Sequence, residues 1–153
     1  MTDAAAPRTL DERLKDTRTR LENDVDLWLS TTGADGGGVH LIPLSFLWDG
    51  SAILVSTPRA SVTGRNLFAD GRVRIGIGPT RDVVIVNGVA EPVDTEDLGH
   101  GTGDAFAAKT GFDPREQDQP YQYFRIRPQR VQAWREANEL AGRGLMRDGA
   151  WLG

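Results

Sequence analysis

Short segments in which apolar residues alternate with polar ones or glycine dominate this sequence, and glycine-containing turns separate them. The pattern is clear at 72–77, where Val73, Ile75 and Ile77 occupy every second position. This is the period of a strand with one buried face. Because short turns join most of the segments, the strands are expected to pair antiparallel. Six or seven such strands, with a few flanking helices, close most easily into a barrel, so the expected fold is mainly β with α.

The predicted strands differ in regularity. They cover residues 27–32, 39–48, 52–57, 72–77, 83–93, 121–127 and 131–134. Pro43 lacks an N–H donor and therefore predicts an edge, a bulge or an open site within the second strand. Gly88 predicts a bulge or close packing in the fifth. Turns are expected at 34–38 and at Asp49-Gly50.

Three helices are predicted from capping signals and apolar spacing. The first covers about 9–23 and opens with the capping box of Thr9 and Glu12. A second begins after Ser61 and ends before Gly71, and a third covers 102–111. Residues 1–8 are expected to be a flexible tail and 9–153 a single domain. Residues 136–153 show no clear pattern, although Trp151 and Leu152 are expected to dock on the domain.

Composition excludes several classes of function. The chain has 153 residues, enough for one domain with a core. Its 18 basic and 22 acidic residues give a net charge of −4, which argues against a general nucleic-acid binder. The absence of cysteine excludes disulfides, thiolate metal sites and cysteine nucleophiles, so redox chemistry would need an organic cofactor or a metal held by other ligands. No stretch is long and apolar enough for a membrane span or a secretory signal, so a cytoplasmic protein is expected.

Familiar catalytic motifs are missing. The two histidines, His40 and His100, have no metal-ligand spacing, and neither H-E-x-x-H nor G-x-S-x-G occurs. The glycines of residues 99–103 fail the spacing of a dinucleotide-binding loop and follow no predicted strand, so a flexible turn is the better interpretation. No metal site is predicted, and no residue is assigned as a catalytic acid or base.

The segment from Ser56 to Leu67 is the most informative one chemically. A strand ends there and a helix begins, and free N–H groups at a helix start attract anions. Three hydroxyls, one amide and two guanidiniums surround that point: Thr57, Ser61, Thr63, Asn66, Arg59 and Arg65. These groups suit a phosphate monoester. On local chemistry alone, an ordinary capped helix with solvent-facing arginines is an equally good interpretation.

An ordered series of segments resembles the pyridoxamine 5'-phosphate oxidase-like family, the flavin- and deazaflavin-binding split β-barrels. The segments are 40–46, 48–50, 56–57, 65–67, 71–75, 81–90 and the series Arg127-Pro128-x-Arg130-Val131-x-x-Trp134. Each is weak alone, and their order and spacing carry the resemblance over roughly residues 20–135. The resemblance implies a split barrel that binds FMN between the two subunits of a homodimer.

The resemblance also implies positions for the cofactor. Strand residues from Pro43 to Phe46 would line the flavin ring, with Ser56 and Thr57 near the ring and the ribityl chain. Arg81 and Asp82 match positions that reach the cofactor in the neighbouring subunit, and Trp134 matches a tryptophan near the flavin. The full set implied is His40, Pro43, Ser45, Phe46, Ser56, Thr57, Ser61, Thr63, Arg65, Asn66, Arg81, Asp82, Trp134 and Arg143.

Two departures from the family pattern narrow the expected activity. Val62-Thr63 stands where true pyridoxamine phosphate oxidases have Arg-Lys, and residues 135–140 replace their arginine–histidine signature. The vitamin oxidase activity is therefore not expected. The expected function is an FMN-dependent oxidoreductase with a small-molecule substrate and NAD(P)H as a possible hydride donor. A deazaflavin-dependent reductase of quinones, enones or tetrapyrroles, and a non-catalytic flavin- or haem-binding protein, remain open alternatives.

Overall fold

A curled antiparallel sheet forms the body of the protein in the computed structural model, which describes residues 5–34 and 36–153. The strands are β1 (Asp26–Thr31), β2 (His40–Ser45), β3 (Leu47–Trp48), β4 (Ile53–Pro58), β5 (Arg72–Ile77), β6 (Val83–Val93), β7 (Tyr121–Trp134), β8 (Gly144–Arg147) and β9 (Ala150–Trp151). Their order is β2-β1-β5-β6-β7-β4-β3, and β8 and β9 extend from β7. Seven strands are longer than two residues, so the predicted split barrel of six to seven antiparallel strands is confirmed.

The helices follow their capping signals closely. They are α1 (Leu10–Asn23), α2 (Val62–Ala69) and α3 (Thr102–Thr110). The Thr9 side chain accepts a hydrogen bond from the Glu12 N–H and the Glu12 carboxylate accepts one from the Thr9 N–H, which completes the capping box. Ser61 caps α2 as predicted. The predicted boundaries of all three helices are therefore confirmed to within one residue.

The core lies on the concave side of the sheet. Leu27 and Leu29 of β1, together with Ile75 of β5 and Val86 of β6, are fully buried there. The alternation read from the sequence thus corresponds to one buried face. Trp28 points the other way and is 52% exposed, so it is not a core residue. Pro43 lies on β2, which is an edge strand, as the missing donor predicts.

The chain from Tyr121 to Trp134 is one strand of 14 residues, not the two strands predicted. Pro128 suggested a break, yet it lies opposite Gly88, where the register between β6 and β7 shifts. A bulge leaves a residue without its ladder partner, so a proline fits there. At Gly88 a Cβ atom would lie 2.8 Å from Ile126 Cγ2 and 2.9 Å from the Arg127 carbonyl oxygen. The predicted bulge at Gly88 is confirmed.

The last residues form a hairpin on β7 that the sequence pattern did not reveal. Strand β8 pairs with β7 and β9 pairs with β8. Trp151 packs against the core, as expected, whereas Leu152 remains 47% exposed, so its predicted docking is wrong.

The segment before α1 is held on the domain from Ala5 onward, which differs from the flexible tail expected there. Arg8 binds the Glu139 carboxylate through its backbone N–H at 2.9 Å and its guanidinium at 2.8 Å. The Ala5 carbonyl accepts a hydrogen bond from the Asn138 side chain at 2.8 Å. Residues 1–4 of the predicted tail, and Asp35 of the predicted turn at 34–38, lie outside the described residues. None of the helices described is long and apolar enough to cross a membrane.

Candidate functional site

An open groove of about 290 Å³ lies where β2 and β4 approach α3. Three predicted site residues, Pro43, Ser45 and Ser56, line it. The complete lining is Pro43, Leu44, Ser45, Ser56, Pro58, Phe106, Thr110, Phe112 and Tyr121. The structure therefore brings the predicted ring-binding parts of β2 and β4 together, although they are adjacent neither in sequence nor in the sheet order.

Neighbouring strands fix the hydroxyls of this groove. Ser45 ends β2 and donates to the Asp26 carboxylate at 2.7 Å. Ser56 lies in β4 and donates to the Gln122 carbonyl oxygen at 3.1 Å. Each hydroxyl keeps an acceptor lone pair. They can therefore accept a hydrogen bond from a ligand without losing their own.

The start of α2 adjoins the groove at Pro58. The Ser61 hydroxyl donates to the Pro58 carbonyl oxygen at 2.8 Å and accepts from the Gly64 N–H at 3.0 Å. Thr57 Oγ1 lies 3.1 Å from Ser61 Oγ. A Cβ atom at Gly64 would lie 2.5 Å from the Pro58 carbonyl oxygen, so the helix start can pack against the end of β4 only because Gly64 has no side chain.

Groups of the kind that bind anions lie at this helix start. The first N–H groups of a helix have no intrahelical acceptor, and Ser61 caps only that of Gly64. The helix has no acidic residue in its first turn. Arg59 and Arg65 are both exposed beside it. The Arg59 guanidinium hydrogen-bonds Gln122 and lies 4.9 Å from the Phe68 ring centroid, which holds the cation close to the helix.

Three predicted site residues have buried side chains with structural roles. Phe46 is fully buried in the core, and Thr63 is 1% exposed. Asn66 donates to Thr31 Oγ1 at 3.1 Å and accepts from the Ala34 N–H at 3.0 Å, which ties the end of β1 to α2. None of these side chains lines the groove.

Four other predicted residues lie at the opposite end of β7. Arg81 contacts Glu136 at 3.3 Å, and Asp82 pairs with Arg20 at 2.9 Å. Trp134 is half-buried at the end of β7, and Arg143 donates to the Leu140 carbonyl oxygen at 3.0 Å. His40 begins β2, at the other end of that strand from Ser45. One protomer therefore does not join these residues to the groove.

Sequence reasoning did not assign one side of the groove. Phe106 and Thr110 come from α3, and Phe112 follows that helix. Phe112 and Tyr121 form an aromatic pair with ring centroids 5.3 Å apart. A helical pattern around Phe106 was visible in the sequence, whereas its placement opposite β2 depends on the tertiary fold.

In the part of the chain that the structure describes, no three histidine, aspartate or glutamate side chains are grouped so that they could hold a metal ion.

A sequence model of the pyridoxamine 5'-phosphate oxidase family matches residues 15–135. The chain belongs to this family. The match includes every residue that lines the β2–β4 groove, and it extends to Arg135. No curated protein matches the chain by sequence.

Solved structures of the family's fold include proteins with different cofactors. A FAD-binding protein from Mesorhizobium loti is 17% identical with a TM-score of 0.64, covering 77% of this chain and 89% of its own. An F420 reductase is 18% identical with a TM-score of 0.60, covering 74% and 94%. The haem storage protein of Vibrio cholerae is 17% identical with a TM-score of 0.61, covering 82% and 95%. At these identities the likeness establishes the fold alone.

Proposed function

We propose that this protein is an oxidoreductase that binds a flavin nucleotide, FMN, at a site shared between two copies of the chain. The observation that supports this proposal is the junction at Pro58 between an uncharged groove and the start of α2. A flavin nucleotide has the same two parts, an uncharged planar ring and an anionic phosphate.

The residues present fit such a ligand. Ser45 and Ser56 offer hydroxyl oxygens to the ring's polar edge, and Pro43 and Leu44 offer apolar surface on the β2 side of the groove. At the helix start, the first N–H groups have no intrahelical acceptor, and Arg59 and Arg65 supply positive charge. A bound flavin would supply the capacity to accept a hydride and pass it on.

The chain's own contribution is binding and electrostatics. The groove is open to a donor such as NAD(P)H on one side and backed by the core on the other. Its hydroxyls are held by neighbouring strands and would fix the orientation of the ring. No acid or base among the groove's described lining residues needs to take part, because hydride transfer through a flavin does not require one at a fixed place.

A second copy of the chain completes the proposed site. Arg81, Asp82 and Trp134 are remote from the groove of their own protomer. In a two-fold dimer each protomer presents the same surface to the other, so these residues can serve the groove of the partner. We therefore propose a homodimer with two equivalent flavin sites.

A titration with FMN and with riboflavin tests the phosphate assignment, because the two differ only in the phosphate. Removing a charge-assisted hydrogen bond weakens binding by about 10- to 100-fold. We expect Arg65→Met to weaken FMN binding by that factor and to change riboflavin binding less than about twofold. Lys15→Met, which removes an exposed cation from α1, is the control and should leave both affinities unchanged. Equal FMN affinity in the wild type and Arg65→Met would contradict the assignment.

The deazaflavin coenzyme F420 is the alternative cofactor, favoured by the F420 reductase among the structural neighbours and by Arg59 beside Arg65. Its longer anionic tail would use both guanidiniums. Titration with F420 under the same conditions decides between the two, since the tighter ligand identifies the cofactor. Haem binding, suggested by the haem storage protein, would give a Soret band, with His40 or His100 as a candidate axial ligand.

A further inference from the structure

The wall of the groove formed by α3 and the chain after it contains no charge. Phe106, Thr110, Phe112 and Tyr121 make this wall, and Pro43 and Leu44 face it from β2. Every described residue that lines the groove is uncharged. Desolvating a carboxylate or a phosphate there would have no compensating cation, which makes the binding of an anion unfavourable.

The lysine of α3 is committed elsewhere. Lys109 precedes Thr110, but its Nζ lies 4.0 Å from the Phe46 ring centroid on the core side. It donates to the Leu21 carbonyl oxygen at the end of α1 at 3.4 Å. The ammonium therefore stabilises the contact between α1 and α3 and does not face the groove.

The polar groups of the wall are almost fully used inside the protein. Thr110 Oγ1 donates to the Phe106 carbonyl oxygen at 2.8 Å and accepts from the Phe112 N–H at 3.2 Å. No described residue hydrogen-bonds the Tyr121 hydroxyl, which is half-buried beside Phe112. Tyr121 thus offers the wall's free hydrogen-bonding group, and a hydroxyl can donate to a neutral carbonyl oxygen.

We infer that the substrate sharing this groove with the cofactor is an uncharged, planar organic compound that stacks on Phe112 and Tyr121 and accepts a hydrogen bond from the Tyr121 hydroxyl. This inference rests on the proposed function, because it assigns the substrate of the same site.

Two probes of one shape and different charge test the inference. Naphthalene-2-carboxamide is neutral and naphthalene-2-carboxylate is anionic. Each is titrated into the flavin-free and the FMN-loaded protein, with binding followed by backbone amide NMR shifts. We expect the carboxamide probe to bind at least about tenfold more tightly than the carboxylate probe. Its binding should shift the backbone N–H signals of residues 106–112 and of Tyr121.

Charge variants of α3 sharpen the test. Thr110→Arg places a cation on the wall and should bring the carboxylate to equal or tighter binding than the amide. Ala108→Arg adds the same charge at an exposed position of the helix outside the groove lining, and should leave the native preference unchanged. Tyr121→Phe should weaken the amide by about three- to tenfold while retaining stacking.

The outcomes separate this inference from the proposed function. Equal or tighter binding of the carboxylate by the wild type, or no shift at the groove with either probe, overturns the inference even if FMN binds. If FMN fails to bind and the carboxamide probe still binds, the flavin proposal is wrong. The assignment of an uncharged planar compound as the substrate of a flavin enzyme is then wrong as well. The inference is supported when FMN binds and the loaded protein prefers the amide.

Discussion

Tyr121 and Trp134 begin and end the same strand, β7, and they lie about 40 Å apart if that strand is taken as straight. Tyr121 lines the groove, whereas Trp134 pairs with Val83 beside Arg81 and Asp82. Trp134 is not among the residues that line the groove of its own protomer. In the proposed dimer, a cofactor that contacts both residues meets them from two different copies of the chain.

Because α2 and β4 approach closely at Gly64, an alanine substitution should destabilise the protein much more at Gly64 than at Gly144. Gly64→Ala places a Cβ atom 2.5 Å from the Pro58 carbonyl oxygen, and backbone cannot yield as a side chain can. We expect the free energy of unfolding to fall by about 1–3 kcal/mol in urea titrations, and FMN binding to weaken as the helix start moves. At Gly144 a Cβ atom would meet nothing within 4 Å. Gly144→Ala should therefore change stability by less than about 0.5 kcal/mol; similar losses at both positions would contradict this account.

The pair of Arg8 and Glu139 predicts a pH-dependent contribution to stability. Hydrogen bonds from Arg8 hold the pKa of Glu139 at about 2, despite the burial that opposes ionisation. A carboxyl group whose pKa is lower in the folded state stabilises that state fully at pH values above its pKa in the unfolded chain, about 4.3. This contribution declines as the pH falls toward the pKa of the folded state. Arg8→Ala should lower the free energy of unfolding by about 2 kcal/mol at pH 6.

Measurements at lower pH check the sign of this effect. The difference between the wild type and Arg8→Ala in urea unfolding should shrink between pH 4.5 and pH 2.5. Arg18→Ala removes an exposed arginine of α1 that contacts the Trp151 ring, and it serves as a control whose effect should be independent of pH in this range. A difference for Arg8→Ala that stays constant down to pH 2.5 would show that Glu139 titrates normally.

Asn66 is predicted to act in stability and not in cofactor binding. Its side chain links Thr31 to the Ala34 backbone and is 5% exposed. Asn66→Ala should lower the free energy of unfolding by about 1–3 kcal/mol, with FMN affinity changed less than threefold at a temperature where the variant is folded. Thr31→Val removes the partner hydroxyl, and the losses in the double variant should be less than additive. A large loss of FMN affinity without loss of stability would restore Asn66 to the cofactor site.

Short sequence motifs predicted the elements that are stabilised by contacts between residues close together in the chain. The capping box at Thr9 and the cap at Ser61 gave helix starts that the structure confirms. The split of β7 was wrong because Pro128 was considered without the strand opposite it. Gly88 already indicates a bulge. Pairing Gly88 with Pro128 across two neighbouring strands places the proline at that bulge and predicts a continuous strand. The terminal hairpin carried a usable signal as well, since Asp148-Gly149 favours a tight turn, and Asp148 has a φ of 51°.

The site was only partly predictable from the sequence. Ser45 and Ser56 lie on strands whose order in the chain matches the family, so their approach followed from the resemblance. The aromatic wall could not be predicted, because nothing local places Phe112 and Tyr121 opposite β2. The burial of Thr63 and Asn66 was not predicted, because a hydroxyl or an amide near a helix start satisfies a neighbouring element as readily as a ligand.

Mixing two variants that each bind FMN weakly tests the central claim, that each flavin site is built from two copies of the chain. Arg65→Met removes a group at the start of α2, and Trp134→Ala removes one at the far end of β7. Each variant alone should bind FMN weakly. When the two are unfolded together and refolded, half of the dimers should be mixed, and each mixed dimer has one unaltered site. We predict tight FMN binding at roughly a quarter of all sites; no recovery of tight sites above the separate variants would contradict the shared site.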